Sequence, residues 1–125
     1  MEENKKILIV DDEKLIVKAF QDHLTRKGYE IEAAFDGEEG LIKVKEFKPD
    51  LILLDILMPK MDGITLLKKL KESPETKEIP VIMITNLEKK ESVAETAELG
   101  SLVYLVKSNH GLIDINREIE KSFKK

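Results

Sequence analysis

The sequence predicts an α/β fold built on a parallel sheet, and three observations carry that prediction. Hydrophobic periodicity switches between strand-like and helix-like five times along the 125 residues. The strand-like runs Ile7-Leu8-Ile9-Val10, Leu51-Ile52-Leu53-Leu54 and Val81-Ile82-Met83-Ile84 are short and wholly apolar, as strands covered on both faces are. The intervening stretches read as helices, and no linker or low-complexity segment interrupts the alternation. A chain of this length builds one core, so residues 1–125 are expected to form a single domain.

Taken in order, the first strand, Ile7–Val10, ends at Asp11-Asp12. A first helix follows with Leu15, Ile16, Ala19, Phe20 and Leu24 on one face and Gly28 as its stop. In the second strand Tyr29, Ile31, Ala33 and Phe35 alternate with Glu30 and Glu32, which predicts one face in water and a place at the sheet edge. Asp36 and Glu39 have the spacing of a capping box for a second helix carrying Leu41, Ile42, Val44 and Phe47, closed by Pro49. The third strand, Leu51–Leu54, delivers Asp55. Asp62-Gly63 opens a third helix with Ile64, Leu67 and Leu70, and Ser73-Pro74 ends it. The fourth strand delivers Thr85, a fourth helix is expected from about Glu88 to Leu99, and Gly100 stops it. Leu102–Val106 forms the fifth strand and delivers Lys107. A last helix lines up Leu112, Ile115, Ile119 and Phe123, with Asp114 near its start and Lys121, Lys124 and Lys125 at its end, matching the helix dipole.

Composition narrows the function. The absence of cysteine excludes disulfides, thiolate metal sites and cysteine nucleophiles. The net charge of −4 comes from acids and bases scattered along the chain, so no basic stripe is available for nucleic acid. The start of the chain is polar and its apolar runs are short, which predicts neither a signal peptide nor a membrane span and makes a cytoplasmic location the expectation.

The strand ends carry the chemistry. Right-handed crossovers bring the carboxyl ends of parallel strands to one edge, where ligands bind in open α/β sheets. By itself Asp55 reads first as a cap of the following helix or turn, and only second as a site residue. Its company changes that reading, because Asp11, Asp12, Asp55, Thr85 and Lys107 all end strands on the same edge. Three carboxylates in contact carry raised pKa values or share a hard cation, for which oxygen ligands alone favour Mg2+. A lysine and a hydroxyl beside them supply what a phosphoryl group needs.

These residues also carry a resemblance. Ile9-Val10-Asp11-Asp12-Glu13, Asp55-Ile56-Leu57-Met58-Pro59 with Asp62-Gly63, Thr85 after the fourth strand, and Tyr104 with Lys107 in the fifth resemble the receiver domain of two-component response regulators over nearly the whole chain. The resemblance implies a (βα)5 flavodoxin-like fold with strand order 2-1-3-4-5, in which the second strand is an edge. It implies that Asp55 takes a phosphoryl group from a phosphohistidine on a sensor histidine kinase or phosphotransfer protein. It further implies that Asp12 and Asp55 bind Mg2+ directly with the backbone carbonyl of Leu57, and that Asp11 acts through water. Lys107 and Thr85 would contact the phosphoryl oxygens, and Thr85, moving inward, would vacate space for Tyr104. The surface of the fourth helix, fifth strand and fifth helix would thereby switch toward a downstream protein. The expected protein is a regulator that catalyses only its own phosphorylation and dephosphorylation.

Two departures stand out. Ser108 replaces the family's usual proline after Lys107, so a trans bond with a rearranged loop, or stored strain, is expected there. Asn86 stands where the family usually has a small residue, and would crowd the site or donate to it. Leu57 and Leu87, two residues beyond Asp55 and Thr85, overhang the phosphoryl site in the family's geometry and offer nothing to orient a hydrolytic water, which implies slow self-dephosphorylation. A magnesium-dependent aspartyl phosphatase of another α/β fold needs a second aspartate where Leu57 stands, and a phosphate-independent binding module would lack Asp55 or Lys107. His23 and His110 have no supporting constellation.

Overall fold

The computed structural model describes residues 5–87, 89–109 and 111–124. Strands β1 (Lys6–Val10), β2 (Glu30–Ala34), β3 (Leu51–Leu54), β4 (Val81–Thr85) and β5 (Val103–Val106) alternate with helices α1 (Lys14–Arg26), α2 (Gly37–Phe47), α3 (Gly63–Glu72), α4 (Lys90–Glu98) and α5 (Leu112–Phe123). All strand pairs are parallel, in the order β2-β1-β3-β4-β5. The alternating second strand is therefore an edge.

Alternation along each strand divides the core into two layers. Ile7, Ile9, Leu51, Leu53, Ile82 and Ile84 face α1 and α5, where they meet Val17, Phe20, Leu24, Ile115 and Ile119. Leu8, Val10, Ile52, Leu54, Val81 and Met83 face the other way, onto Val44, Phe47, Leu66, Leu67 and Leu70. With both faces covered, β3 and β4 bury every residue.

Local signals set the boundaries. Asp36 Oδ1 accepts the Glu39 amide at 2.8 Å, and Glu39 Oε1 reaches back to the amide of Phe35, one residue before the expected partner, also at 2.8 Å. Gly28, at φ +100°, takes the left-handed conformation that ends α1, and Lys48 at φ 53° does the same for α2 before Pro49.

Several expectations are corrected. On α1 the buried stripe is Val17, Phe20 and Leu24 with Ile16 at its margin, while Leu15 is 87% exposed and Ala19 faces water. The apolar arc takes up more than half of the circumference of this helix, and only the part centred near Leu24 meets the sheet. On α2, Ile42 points outward because the face set by Gly37, Gly40, Val44 and Phe47 lies opposite it. Phe35 falls just beyond β2, α4 begins at Lys90, and Leu102 is exposed ahead of β5. Glu88, His110 and Lys125 lie outside the described residues.

Candidate functional site

The site forms where β1 and β3 end side by side. One further ladder bond is made past each strand, from the Asp11 amide to Ala34 O (3.0 Å) and from the Asp55 amide to Val10 O (2.9 Å), so both carboxylates are placed by continued sheet geometry. Asp11 and Asp55 are buried and Asp12 is exposed. One oxygen from each of the three lies within 4.8 Å of the others.

Asp55 does not cap the next helix. Asp62 does, its Oδ1 accepting the Thr65 amide at 2.8 Å. The Asp55 carboxylate instead takes the Ile56 amide on Oδ1 (2.7 Å) and the Lys107 ammonium on Oδ2 (3.1 Å). Gly63 permits the close approach of α3 to this turn. A Cβ there would stand 2.0 Å from Asp55 O, and the Gly63 amide donates to Ile56 O at 2.8 Å.

Lys107 reaches the cluster from the far side. The bond to Ser108 is trans, and Lys107–Asn109 forms a 3-10 turn. The loop is thus built without a cis bond, yet the lysine still points at the acids. Its Nζ lies 2.6 Å from Asp11 Oδ2 and 3.1 Å from Asp55 Oδ2, and it also contacts Glu13 Oε1. Burial alone would lower its pKa, but the hydrogen bonds to Asp11 and Glu13 and the charges of Asp11 and Asp55 hold it above the ordinary lysine range. Asp11 is pushed up to about 6, first by burial and further by the charge of Asp55, against the lowering effect of Lys107 and of the Glu13 amide on Oδ1 at 2.9 Å. The lysine shift thus follows from the acids around it, and the Asp11 shift mainly from its burial.

The other side of the cleft comes from β4. Thr85 is fully buried, and its Oγ1 accepts the Leu87 amide at 3.3 Å. Asn86 ties the β4 and β5 loops together, its Oδ1 accepting the Ser108 amide at 3.0 Å. Tyr104 donates its hydroxyl to Leu87 O at 2.5 Å, and burial followed by the charge of Asp55 raises its pKa. Asp12, Glu13, Asp55, Leu57, Thr85, Asn86 and Lys107 line a cleft of about 170 Å3. Leu57 stands at its mouth, 57% exposed, whereas Leu87 packs against the core layer of β3 and β4 and is not among the lining residues.

A larger cavity, about 610 Å3, lies between the end of α2 and the segment leading into β4, and is lined by Val44, Lys45, Lys48, Pro49, Glu75, Thr76 and Ile79. Its buried polar side chain, Thr76, gives its hydroxyl to Leu70 O at 2.6 Å.

Glu13 is the site residue that sequence reasoning missed. It follows the two predicted acids directly, at the start of a helix it does not cap, and that idle position was the available signal.

Comparison with known proteins agrees with this geometry. The family model for the response regulator receiver domain matches residues 7–115. The alkaline phosphatase synthesis transcriptional regulatory protein PhoP of Bacillus subtilis is 43% identical over 83% of this chain, and the chain spans only 42% of that relative's length. The chemotaxis protein CheY of Treponema pallidum is 42% identical, over 82% of this chain and 72% of its own length. The fold superposes on a chain of the CheX–CheY complex of Borrelia burgdorferi with BeF3 and Mg2+ at a TM-score of 0.88, with 36% identity over 97% of this chain and 90% of that one. A matching sheet order, a carboxylate trio at the strand ends and a family match across most of its length together show that this chain belongs to the response regulator receiver domain family.

Proposed function

We propose that residues 1–125 act as a phosphorylation-controlled switch in which Asp55 accepts a phosphoryl group from a phosphohistidine on a histidine kinase or phosphotransfer protein. The observation that carries this reading is the setting of the Asp55 carboxylate. It is buried at the cleft, with one oxygen held by the Ile56 amide and the other by Lys107. In the transfer, a lone pair on a carboxylate oxygen forms the new P–O bond as the P–N bond to the donor imidazole breaks, and that bond's electron pair stays on the ring nitrogen. Such a reaction depends mainly on positioning and on stabilising charge on the phosphoryl oxygens. Lys107 supplies the cation. Thr85 accepts from Leu87 and so keeps its own hydroxyl proton to donate to a phosphoryl oxygen.

The donor set fits a hard divalent ion, because the three converging ligands are all carboxylates and, among the described residues, neither imidazole nor thiolate lines the cleft. We assign Mg2+ to it, held directly by Asp12 and Asp55 with the Leu57 carbonyl and through water by Asp11. Bound there, the ion would offset the carboxylate charge and polarise the phosphoryl oxygens.

The switch in this reading runs through one residue. Leu87 gives its amide to Thr85 and its carbonyl to Tyr104, so a turn of the Thr85 hydroxyl toward a phosphoryl group is transmitted to the Tyr104 ring. This supports a change on the α4–β5–α5 surface, read by a downstream protein, with Leu87 coupling the Thr85 hydroxyl to a Tyr104 ring that would enter the space Thr85 vacates. The protein in this reading is a regulator, like the PhoP and CheY relatives, and its only chemistry is on itself.

The test is incubation with acetyl phosphate or phosphoramidate and Mg2+. Mass spectrometry should find one phosphoryl group on Asp55, absent from Asp55→Asn. Undiminished labelling of Asp55→Ala would refute the assignment.

A further inference from the structure

Lys107 has three N–H donors, and three carboxylates surround them: Asp11, Glu13 and Asp55. In the resting protein all three donors face carboxylates, so a phosphoryl oxygen on Asp55 has to compete with them for this ammonium. The three are not equal in that respect. The side chains of Asp11 and Asp55 are nearly buried within the metal and phosphoryl site itself and stay beside the ammonium, whereas the Glu13 side chain is 48% exposed and returns to water.

A second observation concerns where Glu13 sits. It is the N-cap residue of α1, its side chain makes no capping bond, and the first turn of that helix holds no other acid. Its carbonyl accepts the Val17 amide at 3.0 Å and its amide donates to Asp11, so its backbone serves the helix and the β1 loop while its side chain crosses to a lysine 94 residues away.

On the reading of Asp55 as phosphoryl acceptor, we propose that Glu13 is a displaceable counterion latch: it occupies the third donor of Lys107 in the resting protein and yields that donor to a phosphoryl oxygen. Glu13 is a positioning residue in this scheme, since it acts through Lys107. The latch opposes phosphorylation and favours the unphosphorylated state. It also joins the β1–α1 loop to the β5–α5 loop beside the Lys107–Asp11 contact, so release loosens that junction.

The experiment uses the whole chain at saturating Mg2+, with beryllofluoride as the phosphoryl probe. Affinity is measured by calorimetry in the wild type, Glu13→Gln, Glu13→Asp, Lys107→Gln and the double variant Glu13→Gln/Lys107→Gln. Glu13→Gln should bind roughly three- to tenfold more tightly, the gain expected from removing one partly exposed ion pair. Glu13→Asp, which restores the charge, should fall back toward the wild type. In the Lys107→Gln background the Glu13 substitution should change nothing. An equal gain in that background would show simple charge repulsion in place of a latch and overturn the proposal. So would no gain, or a loss, in Glu13→Gln alone. If neither the wild type nor any variant binds beryllofluoride, while acetyl phosphate also fails to label Asp55, the acceptor reading itself falls and the latch falls with it.

Discussion

The two halves of the sheet are held by different chemistry. β3 buries all four of its residues, and α3 packs Gly63, Leu66, Leu67 and Leu70 against the sheet behind an Asp62 cap. β5 buries one residue of four, and the buried residues of α4 are Ser92 and Thr96, with no side-chain cap at its start. The Thr96 hydroxyl does not fasten that helix either, because it donates within the helix to Ser92 O (2.9 Å) and Val93 O (3.2 Å). The Lys68–Glu95 pair that joins α3 to α4 is exposed and contributes little. The lesson is a division of labour. On the proposed function, the acceptor Asp55 follows the well-packed β3, while α4, part of the surface proposed to respond, buries only Ser92 and Thr96.

The widest gap between the halves should appear on truncation. Leu67→Ala, at a fully buried position, is expected to cost about 2–5 kcal/mol in urea unfolding, against about 1 kcal/mol for Thr96→Ala. Equal losses would break the comparison.

The site itself weakens the rigid half where burial and charge collide. The folded-state pKa of Asp11 is raised to about 6 from 3.8, so in the metal-free protein the folded state binds its proton more tightly than the unfolded state does. The resulting destabilisation is complete above pH 6, shrinks as pH falls through 6, and is gone below 3.8. Asp11→Asn should therefore stabilise the metal-free protein at pH 7 by up to about 3 kcal/mol, with the gain fading toward pH 4. Denaturation across that pH range checks the sign. A variant less stable than the wild type at pH 7 would show that the contact with Lys107 outweighs burial.

A smaller effect sharpens the picture of the responsive half. Tyr104→Phe removes the bond to Leu87 O and should lower stability by about 1 kcal/mol. Amide exchange should then quicken around Leu87 and the start of α4 while α3 is unmoved, and faster exchange in α3 would mean the halves are not independent. The smallest effect belongs to the cleft mouth, where the Leu57 side chain offers no polar atom to a hydrolytic water. Leu57→Asn should speed inorganic phosphate release from the phosphorylated protein by only a few fold, about 1 kcal/mol or less of barrier. A wild type that hydrolyses faster than this variant would show that the leucine does not protect the bond.

Much of the sheet was legible in the sequence because burial on both faces leaves apolar runs that nothing else explains, and because Glu30 and Glu32 mark β2 as an edge. The strand-end residues were legible for the same reason, since each follows such a run. Helix faces were less so: the apolar arc of α1 is wider than the strip the sheet covers, and periodicity cannot say that Val17 is inside and Leu15 outside. Contacts made between loops escaped altogether. The pairings of Glu13 with Lys107 and of Asn86 with Ser108 join residues whose separation along the chain carries no periodic signal, and they exist only once β4 and β5 have docked.

The strand order has a bearing on how the molecule comes into being. Asp11, Asp12 and Asp55 belong to β1, β3 and the loops that follow them, which emerge first from the ribosome, while Lys107 follows the edge strand β5, made last. A nascent chain that has paired β1 with β3 holds the acids together without their ammonium partner, so folding of the amino-terminal half alone is opposed by its own electrostatics. Closure of the sheet by β5 and neutralisation of the acids then coincide. Synthesis halted before Val103 should leave a chain whose acid end stays open to proteases, and added divalent cations should protect it.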